Sequence, residues 1–383
     1  MEDGHSEIVS IIANYLEMSE LDPKLVAMER MVGFSNDVFK ITIDESVVSE
    51  KLNSNTLILK QKVKDCPNAD FILLAHAVPP FLQKHGLGPQ SIYEDGDVVI
   101  VEYIPSTTCT LADFKKVETY FDAIKQLGEY CKLFASKPEE FQDMNRNKTL
   151  LSHILEKDIV EKSLAKMKSV LSSPEATIDK SGLEQIITWV EKSAFTPQAK
   201  ELIEEANKLP MIICHNDFYW LNVLKKNSGG VMLIDYEYTA YNPIGWDIAN
   251  YYTERNFFYN QETHKFEYRE DLPSLEERLL VYKYYLLCLG DEFDSSVMVD
   301  NQFLFDLSAG KYNHMIDQKQ LSMLADDQHF SKLCFLVNLQ WIFFNCIMLD
   351  ESPTWPLIEY TFHRIDLHHN LLKKLNFTSK IQQ

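Results

Sequence analysis

The residues best suited to chemistry lie in His215-Asn216-Asp217-Phe218-Tyr219-Trp220-Leu221-Asn222, a His-x-Asp-x-x-x-x-Asn run that leaves the short apolar segment Met211-Ile212-Ile213-Cys214. A second apolar segment, Val231-Met232-Leu233-Ile234, ends on Asp235. Between them Asn227-Ser228-Gly229-Gly230 reads as a hairpin turn, so the spacing predicts that Asp217, Asn222 and Asp235 converge on one volume. Transfer of a γ-phosphoryl group needs such a set. A carboxylate beside the attacking hydroxyl orients it and accepts its proton, and hard oxygen ligands such as Asp and Asn hold the magnesium that bridges phosphate oxygens. In that assignment Asp217 is the base, and Asn222 and Asp235 are the metal ligands. Each alone is equally well explained as a turn former or a cap; the three together in this context argue for chemistry.

The run followed by a strand-borne aspartate is similar to the kinase catalytic loop, and Tyr236-Glu237 in place of Phe-Gly points away from protein kinases. The stretch Ile234-Asp235-Tyr236-Glu237-Tyr238-Thr239-Ala240-Tyr241-Asn242-Pro243-Ile244-Gly245-Trp246-Asp247-Ile248-Ala249-Asn250-Tyr251-Tyr252-Thr253-Glu254 resembles the signature of the choline/ethanolamine kinase family. Gly33-Phe34-Ser35-Asn36 resembles that family's phosphate-facing loop, Gly86-Leu87-Gly88-Pro89 its turn before the hinge, and Tyr360-Thr361-Phe362-His363-Arg364 its late helix. The resemblance implies a bilobal protein-kinase-like fold and ATP-dependent, Mg2+-dependent phosphorylation of a small amino alcohol. It places Asn36 on the nucleotide loop and the backbone of Glu102 to Ile104 at the hinge that pairs adenine. It also gives Lys60 the role of pairing ATP phosphates where relatives usually carry arginine, without arginine's bidentate fork. Asp70 is the nearest candidate for the acid that pairs with Lys60.

A quaternary ammonium has no N–H to donate, so aromatic faces and nearby carboxylates hold it. By the resemblance, Tyr238, Tyr259, Trp341, Trp355 and Tyr360 form an aromatic cage with Glu254 beside it. Three positions depart from the pattern. Asn338 stands one turn before Trp341, where choline-selective members carry a second aromatic; Tyr219 replaces a Gln or other small polar residue; Ile244 replaces a basic or polar one. With five aromatic candidates the reading favours choline, giving phosphocholine and ADP at the first step of phosphatidylcholine synthesis by the phosphocholine route. Ethanolamine, whose ammonium would take more carboxylates and amides, is the alternative acceptor. An aminoglycoside phosphotransferase-like kinase would share Asp217, Asn222 and Asp235 but lack the series Glu237, Asn242, Asp247, Asn250 and Glu254. Intact metal ligands speak against a catalytically silent nucleotide-binding protein.

Positioning these groups falls to two kinds of element. Helical spacing over residues 6–18 precedes β-like runs over 38–43, 56–63 and 98–104, the last with a hairpin partner at 91–93. Residues 71–84 are helical in composition but interrupted by Pro79-Pro80. After Pro105 helical patterns dominate, over 111–134, 152–170, 182–193, 197–208, 275–289, 328–349 and 356–375. The expected class is therefore α+β: a strand-rich nucleotide-binding lobe over 1–105 and a mainly helical catalytic and acceptor-binding lobe over 106–383. Small ligands bind in clefts between such units. The polar stretches 45–55 and 262–273 read as loops.

Composition narrows the partners. With 383 residues and a formal net charge of −20, the chain is poorly suited to holding nucleic acid through phosphates and favours a cationic small molecule. Its seven cysteines are odd in number and include no C-x-x-C, which points to a reducing cytosol. The N-terminus lacks the basic and apolar features of a signal peptide. The apolar run 333–349 contains Asn338, Gln340 and Asn345, so it reads as a buried core helix and not as a membrane span. A cytoplasmic protein is expected, His368-His369 reads as a solvated face, and a homodimer is left open.

Overall fold

The computed structural model describes residues 2–31, 36–47, 55–62, 78–95, 98–137, 157–193, 197–260, 265–294, 297, 299–349 and 356–375. The chain divides into two compact units, Met1–Thr107 with Lys225–Met232, and Thr108–Leu224 with Leu233–Gln383.

In the first unit, α1 (Glu2–Tyr15) carries the isoleucine-rich face read from the sequence. Strands β1 (Val26–Met31), β2 (Asn36–Ile43) and β3 (Thr56–Lys62), helix α2 (Val78–Lys84), then β4 (Ser91–Asp95) and β5 (Val98–Glu102) follow. The strands form an antiparallel sheet in the order β1-β2-β3-β5-β4. Period-two alternation puts Ile41, Ile43, Leu57, Leu59 and Ile100 in one cluster with Ile8, Val9, Ile12 and Leu16. Lys60, next to buried Leu59, therefore belongs to the other face; it is half-buried and stands opposite Val38 and Val99. Strand β1 was not legible because only Val26 in it is buried. Of the helical run expected over 71–84 with an interruption at Pro79-Pro80, α2 holds both prolines, and 71–77 lie outside the described residues.

In the chain order of the rest come β6 (Ser106–Thr108), α3 (Leu111–Phe114), α4 (Val117–Ser136), α5 (Lys157–Ser172), α6 (Lys180–Ser193), α7 (Pro197–Ala206) and β7 (Met211–Cys214). The single helix expected over 111–134 is two: α3 starts at a Thr110–Asp113 capping box and ends at Lys115, and α4 starts after Lys116 in extended conformation. Strands β8 (Val223–Lys226) and β9 (Val231–Leu233) form the expected hairpin, in a sheet of order β6-β8-β9. Gly229 (φ +96°) and Gly230 (φ +71°) make its turn in the left-handed region that favours glycine.

Then follow β10 (Ala240–Pro243), α8 (Trp246–Glu254), β11 (Phe257–Asn260), β12 (Lys265–Tyr268), α9 (Leu275–Leu289), α10 (Asn301–Ser308), α11 (Gln318–Ala325), α12 (Asp327–Met348) and α13 (Leu357–Lys374). Every residue of α8 is buried, and α12 packs against both α8 and α13. Helix α12 is long and apolar enough to cross a membrane, but it is a buried core helix here, as its sequence indicates. Two expectations fail. The polar stretch 262–273 contains β12, which pairs with β11 and buries Phe266. His368 is no solvated residue: it is buried, edge-on to Trp189 and packed on Phe335, and only His369 is exposed.

Candidate active site

Strand β7 delivers the chain to His215 by pairing with β10, Cys214 opposite Ala240. Asn216 then adopts φ +68°, a left-handed conformation that a non-glycine residue holds only when its surroundings enforce it. They do so from several sides. Asn216 Nδ2 donates to the Tyr238 carbonyl at 2.7 Å, and Asn242 Nδ2 donates to Asn216 Oδ1. The carboxylate of buried Asp247 accepts from the backbone N–H of His215 at 3.0 Å and of Asn216 at 2.8 Å. Asp247 sits in the first turn of α8, whose start is Gly245 (φ +89°); a Cβ on Gly245 would lie 2.7 Å from Leu324. The spacing from Asn242 through Gly245 to Asp247 is thus the geometry that fixes the loop.

The His215 ring completes it. Asp217 N–H donates to Nδ1 at 3.3 Å, so Nε2 carries the proton and donates to the Ile234 carbonyl at 2.9 Å. Ile234 N–H donates in turn to the Asn222 carbonyl at 3.0 Å. Both backbone groups of Ile234 are held by the loop, which brings Asp235 next to it. Asn222 Nδ2 donates to Asp217 Oδ2 at 2.7 Å and to the Asp217 carbonyl at 2.9 Å. Its amide nitrogen is thereby engaged, and Oδ1 is the atom left to face a cation. Asp235 is left-handed (φ +68°), and its side chain makes no capping bond to the short 3-10 helix Tyr236–Tyr238, so capping does not account for it. Asn222 Oδ1 and the Asp235 carboxylate are the oxygen donors a hard divalent ion takes. Among the described residues no group of three or more His, Cys, Asp or Glu is placed to hold a metal. The donor set here is one carboxylate and one amide, with the Asp217 carboxylate bonded to that amide.

Burial, the charges of Asp235 and Glu254, and to a lesser degree Glu237, push Asp217 well above the usual carboxylate range against the opposing bond from Asn222. Asp217 is therefore a stronger proton acceptor than a solvated aspartate.

Of the residues expected to form the aromatic cage, Tyr238 and Trp341 meet edge-on at 5.7 Å, and both meet Phe344, at 5.3 and 5.2 Å. Trp341 Nε1 donates to Asn250 Oδ1 at 2.7 Å. Glu254 and Tyr360 also come together, but around a third group. Arg364 Nη2 pairs with Glu254 Oε1 at 2.6 Å and bonds the Tyr360 hydroxyl, which donates to Glu254 Oε2 at 3.0 Å. The guanidinium lies over Tyr360 at 4.5 Å, Phe257 at 4.6 Å and Trp341 at 5.9 Å. Glu254 thus has an internal cation, and three aromatic faces already serve it. Asn338 is buried with Nδ2 on the Arg364 carbonyl at 2.8 Å, and the aromatic one turn from Trp341 is Phe344, on the other side of it.

Sequence reading missed Phe344 and the role of Arg364, although the spacings Trp341–Phe344 and Tyr360–Arg364 are helical neighbours that mark both. Tyr259 is in β11 opposite Phe266. Asn36 begins β2 opposite Lys62. Gly33 to Ser35, Asp70 and Trp355 lie outside the described residues. Glu102 N–H donates to the Gln90 carbonyl at 2.8 Å and its Oε1 accepts from Gln90 N–H at 3.0 Å, while the Ile104 carbonyl accepts from Ser106 Oγ at 2.7 Å.

Comparison with known proteins places this geometry. The choline/ethanolamine kinase family model matches residues 29–369. The chain is 29% identical to a probable choline kinase 2 of Arabidopsis thaliana, over 57% of this chain and 56% of that one. It is 24% identical to a choline/ethanolamine kinase of Homo sapiens, over 66% of this chain and 61% of that one. The matches thus span less than two thirds of the length of these curated relatives. The crystal structure of a choline kinase from Cryptosporidium parvum superposes with a TM-score of 0.67 at 19% identity, covering 98% of this chain and 97% of that one. The α+β, protein-kinase-like fold expected from the sequence is the one found. With the family model matched over most of its length, the chain belongs to the choline/ethanolamine kinase family.

Proposed function

We propose that the protein transfers the γ-phosphoryl group of ATP to the hydroxyl of choline, giving phosphocholine and ADP. The observation that supports this reading is the bond of 2.7 Å from Asn222 Nδ2 to Asp217 Oδ2, which holds the base and leaves the amide oxygen available to a metal. Asp217 takes the proton of the choline hydroxyl as its oxygen bonds to the γ-phosphorus; the bond from phosphorus to the leaving oxygen breaks, and its electron pair departs with ADP. Asn222 Oδ1 and Asp235 would hold Mg2+, which when bound supplies charge neutralisation on the phosphate oxygens. Asn36 and Lys60 are assigned to the nucleotide phosphates. The hinge assignment falls chiefly on Ile104, because the N–H groups of Glu102 and Tyr103 already donate to Gln90 and Thr56.

The acceptor follows from the aromatic set. Tyr238, Trp341 and Phe344 offer ring surface to a cation that cannot donate hydrogen bonds, with the half-buried Phe344 replacing the aromatic expected at Asn338. Arg364 neutralises Glu254, which weakens the case for a primary ammonium held by that carboxylate. The reading implies a cytoplasmic enzyme at the entry to phosphatidylcholine synthesis. ADP release measured with choline, ethanolamine and their N-methylated intermediates tests it. Choline is expected to give the highest kcat/KM; ethanolamine in first place would transfer the assignment, and no ADP release with any of them would overturn it.

A further inference from the structure

Resting on the reading of Asp235 as a metal ligand, we propose that Gln126 of α4 is a positioning residue: its side-chain carbonyl fixes the end of β9 and with it the place of the Asp235 carboxylate. Gln126 Oε1 accepts from the Leu233 N–H at 2.6 Å. Strand β9 stands at the edge of the sheet β6-β8-β9, so one of its sides has no strand to pair with. Successive N–H groups of an extended chain point to opposite sides. That of Ile234, just past β9, goes to the Asn222 carbonyl at 3.0 Å. That of Leu233 therefore points to the open side, where Gln126 meets it; Leu233 is buried, so water does not serve that N–H.

The same helix face holds the far side of Asp235. Tyr130, one turn beyond Gln126, stacks on Tyr236 at 5.7 Å with the rings 11° apart, and its hydroxyl is bonded to Thr239 Oγ1 at 2.5 Å. The Tyr236 hydroxyl reaches back to the Leu233 carbonyl. Gln126 and Tyr130 thus engage the chain on both sides of Asp235, two residues before it and one after. Helix α4 packs along α9, which gives this grip a fixed base. Asp235 itself is left-handed (φ 68°, ψ 60°), a conformation that neighbours must hold in a residue other than glycine.

A magnesium ion demands near-octahedral oxygen geometry, so its ligands must be held in place beforehand. The catalytic loop fixes Asn222 through Asp217 and holds both backbone groups of Ile234. Gln126 fixes the strand from the opposite side. Without its carbonyl the Leu233 N–H is a buried donor lacking an acceptor, and β9 relieves that cost by shifting, which moves Asp235 with it. Gln126 touches neither Asp235 nor Asn222; it acts through the backbone of Leu233 alone.

The test compares Gln126→Met, which keeps the length of the side chain and removes the acceptor, with Gln126→Glu, which keeps an oxygen for the Leu233 N–H. Mn2+ alone is the probe, its free concentration read by electron paramagnetic resonance, and Asp235→Ala defines which part of the binding belongs to this site. Loss of one neutral hydrogen bond predicts that Gln126→Met weakens that part about threefold to tenfold. The Mg2+ concentration at half-maximal turnover should rise by a similar factor, and the KM for choline at saturating Mg2+ should stay unchanged. Gln126→Glu should bind Mn2+ at least as tightly as the parent. If Gln126→Met does not fold, Gln126→Asn, shorter by one methylene, withdraws the acceptor instead, with the same losses expected. Unchanged Mn2+ binding overturns the proposal, as does an equal loss in Gln126→Glu, or a KM for choline that rises as much as the Mg2+ requirement, which would assign the effect to a general loosening of the fold. If Asp235→Ala removes Mn2+ binding and Gln126→Met matches the parent, only the Gln126 role falls; if Asp235→Ala removes none, the metal-ligand reading beneath it falls too.

Discussion

Trp341 is joined to Asn250 by an indole N–H···O bond of 2.7 Å, and the same amide donates from Nδ2 to the carbonyl of Phe218 at 3.2 Å. One side chain therefore connects the aromatic wall on α12 to the residue that follows Asp217. Both partners are buried, so Asn250→Ala would leave the indole N–H without an acceptor, at a cost of about 1–3 kcal/mol. The variant should melt at lower temperature and lose turnover together, because the same side chain holds the wall and the loop. A variant with unchanged melting would show that the bond bears no load.

Asp217→Asn keeps the shape of the base and removes its ability to take a proton. Turnover should fall by about 10²–10⁴-fold. ATP affinity, measured by equilibrium binding, should change little. Near-normal turnover would exclude Asp217 as the base.

Arg364 and Glu254 are a buried ion pair, with side chains 1% and 9% exposed. Arg364→Met leaves Glu254 without its cation, and breaking such a pair from one side costs about 3–5 kcal/mol. Glu254→Gln combined with Arg364→Met removes both charges and should recover part of that stability. Denaturant titration of the two single variants and the double variant gives the coupling directly, and additive losses would show that the two groups do not act as a pair.

The loop chemistry was legible because it is local: the His-x-Asp-x-x-x-x-Asn spacing and the return strand to Asp235 set Asp217 and Asn222 within one bond of each other. The acceptor side was less so. Trp341 and Tyr238 were read as cage members and do meet, and the i, i+4 spacing sets Arg364 beside Tyr360, but nothing along the chain says that its guanidinium would also lie over Phe257. That depends on how α13 and β11 pack, a matter of distant contacts. Likewise Phe266 lies in a polar run, and its burial follows only from the pairing of β12 with β11.

Asp247 gives the loop a pH dependence. Burial lifts its carboxyl to about 7 against the bonds from Asn216, His215 and Cys214. Unfolded, it titrates near 3.8. Between those values the folded protein binds the extra proton, so this group favours folding at low pH and its contribution declines as pH rises from about 4 to about 7. The full span is roughly 4 kcal/mol. Burial raises Cys131, Cys214, Tyr130 and Tyr285, which surround it, so they keep their protons across this range. Asp247→Asn does not titrate there. Its stability relative to the parent should therefore improve as pH rises from 4 to 7, after a constant loss from giving up one backbone N–H acceptor; a pH-independent difference would exclude the shift.

Phe344 tests the acceptor wall more cleanly than Trp341, because it has no polar atom to leave stranded. It is half-buried, edge-on to both Tyr238 and Trp341, and Phe344→Leu keeps an apolar side chain while removing the ring. A cation–π contact contributes about 0.5–2 kcal/mol, so kcat/KM for choline should fall by roughly twofold to thirtyfold. Ethanolamine can direct N–H donors at amides and carboxylates instead, and should lose less. The ratio of the two kcat/KM values cancels any general loosening of α12, which would lower both alike. A ratio unmoved by Phe344→Leu would remove Phe344 from the acceptor site, whatever happened to the absolute rates.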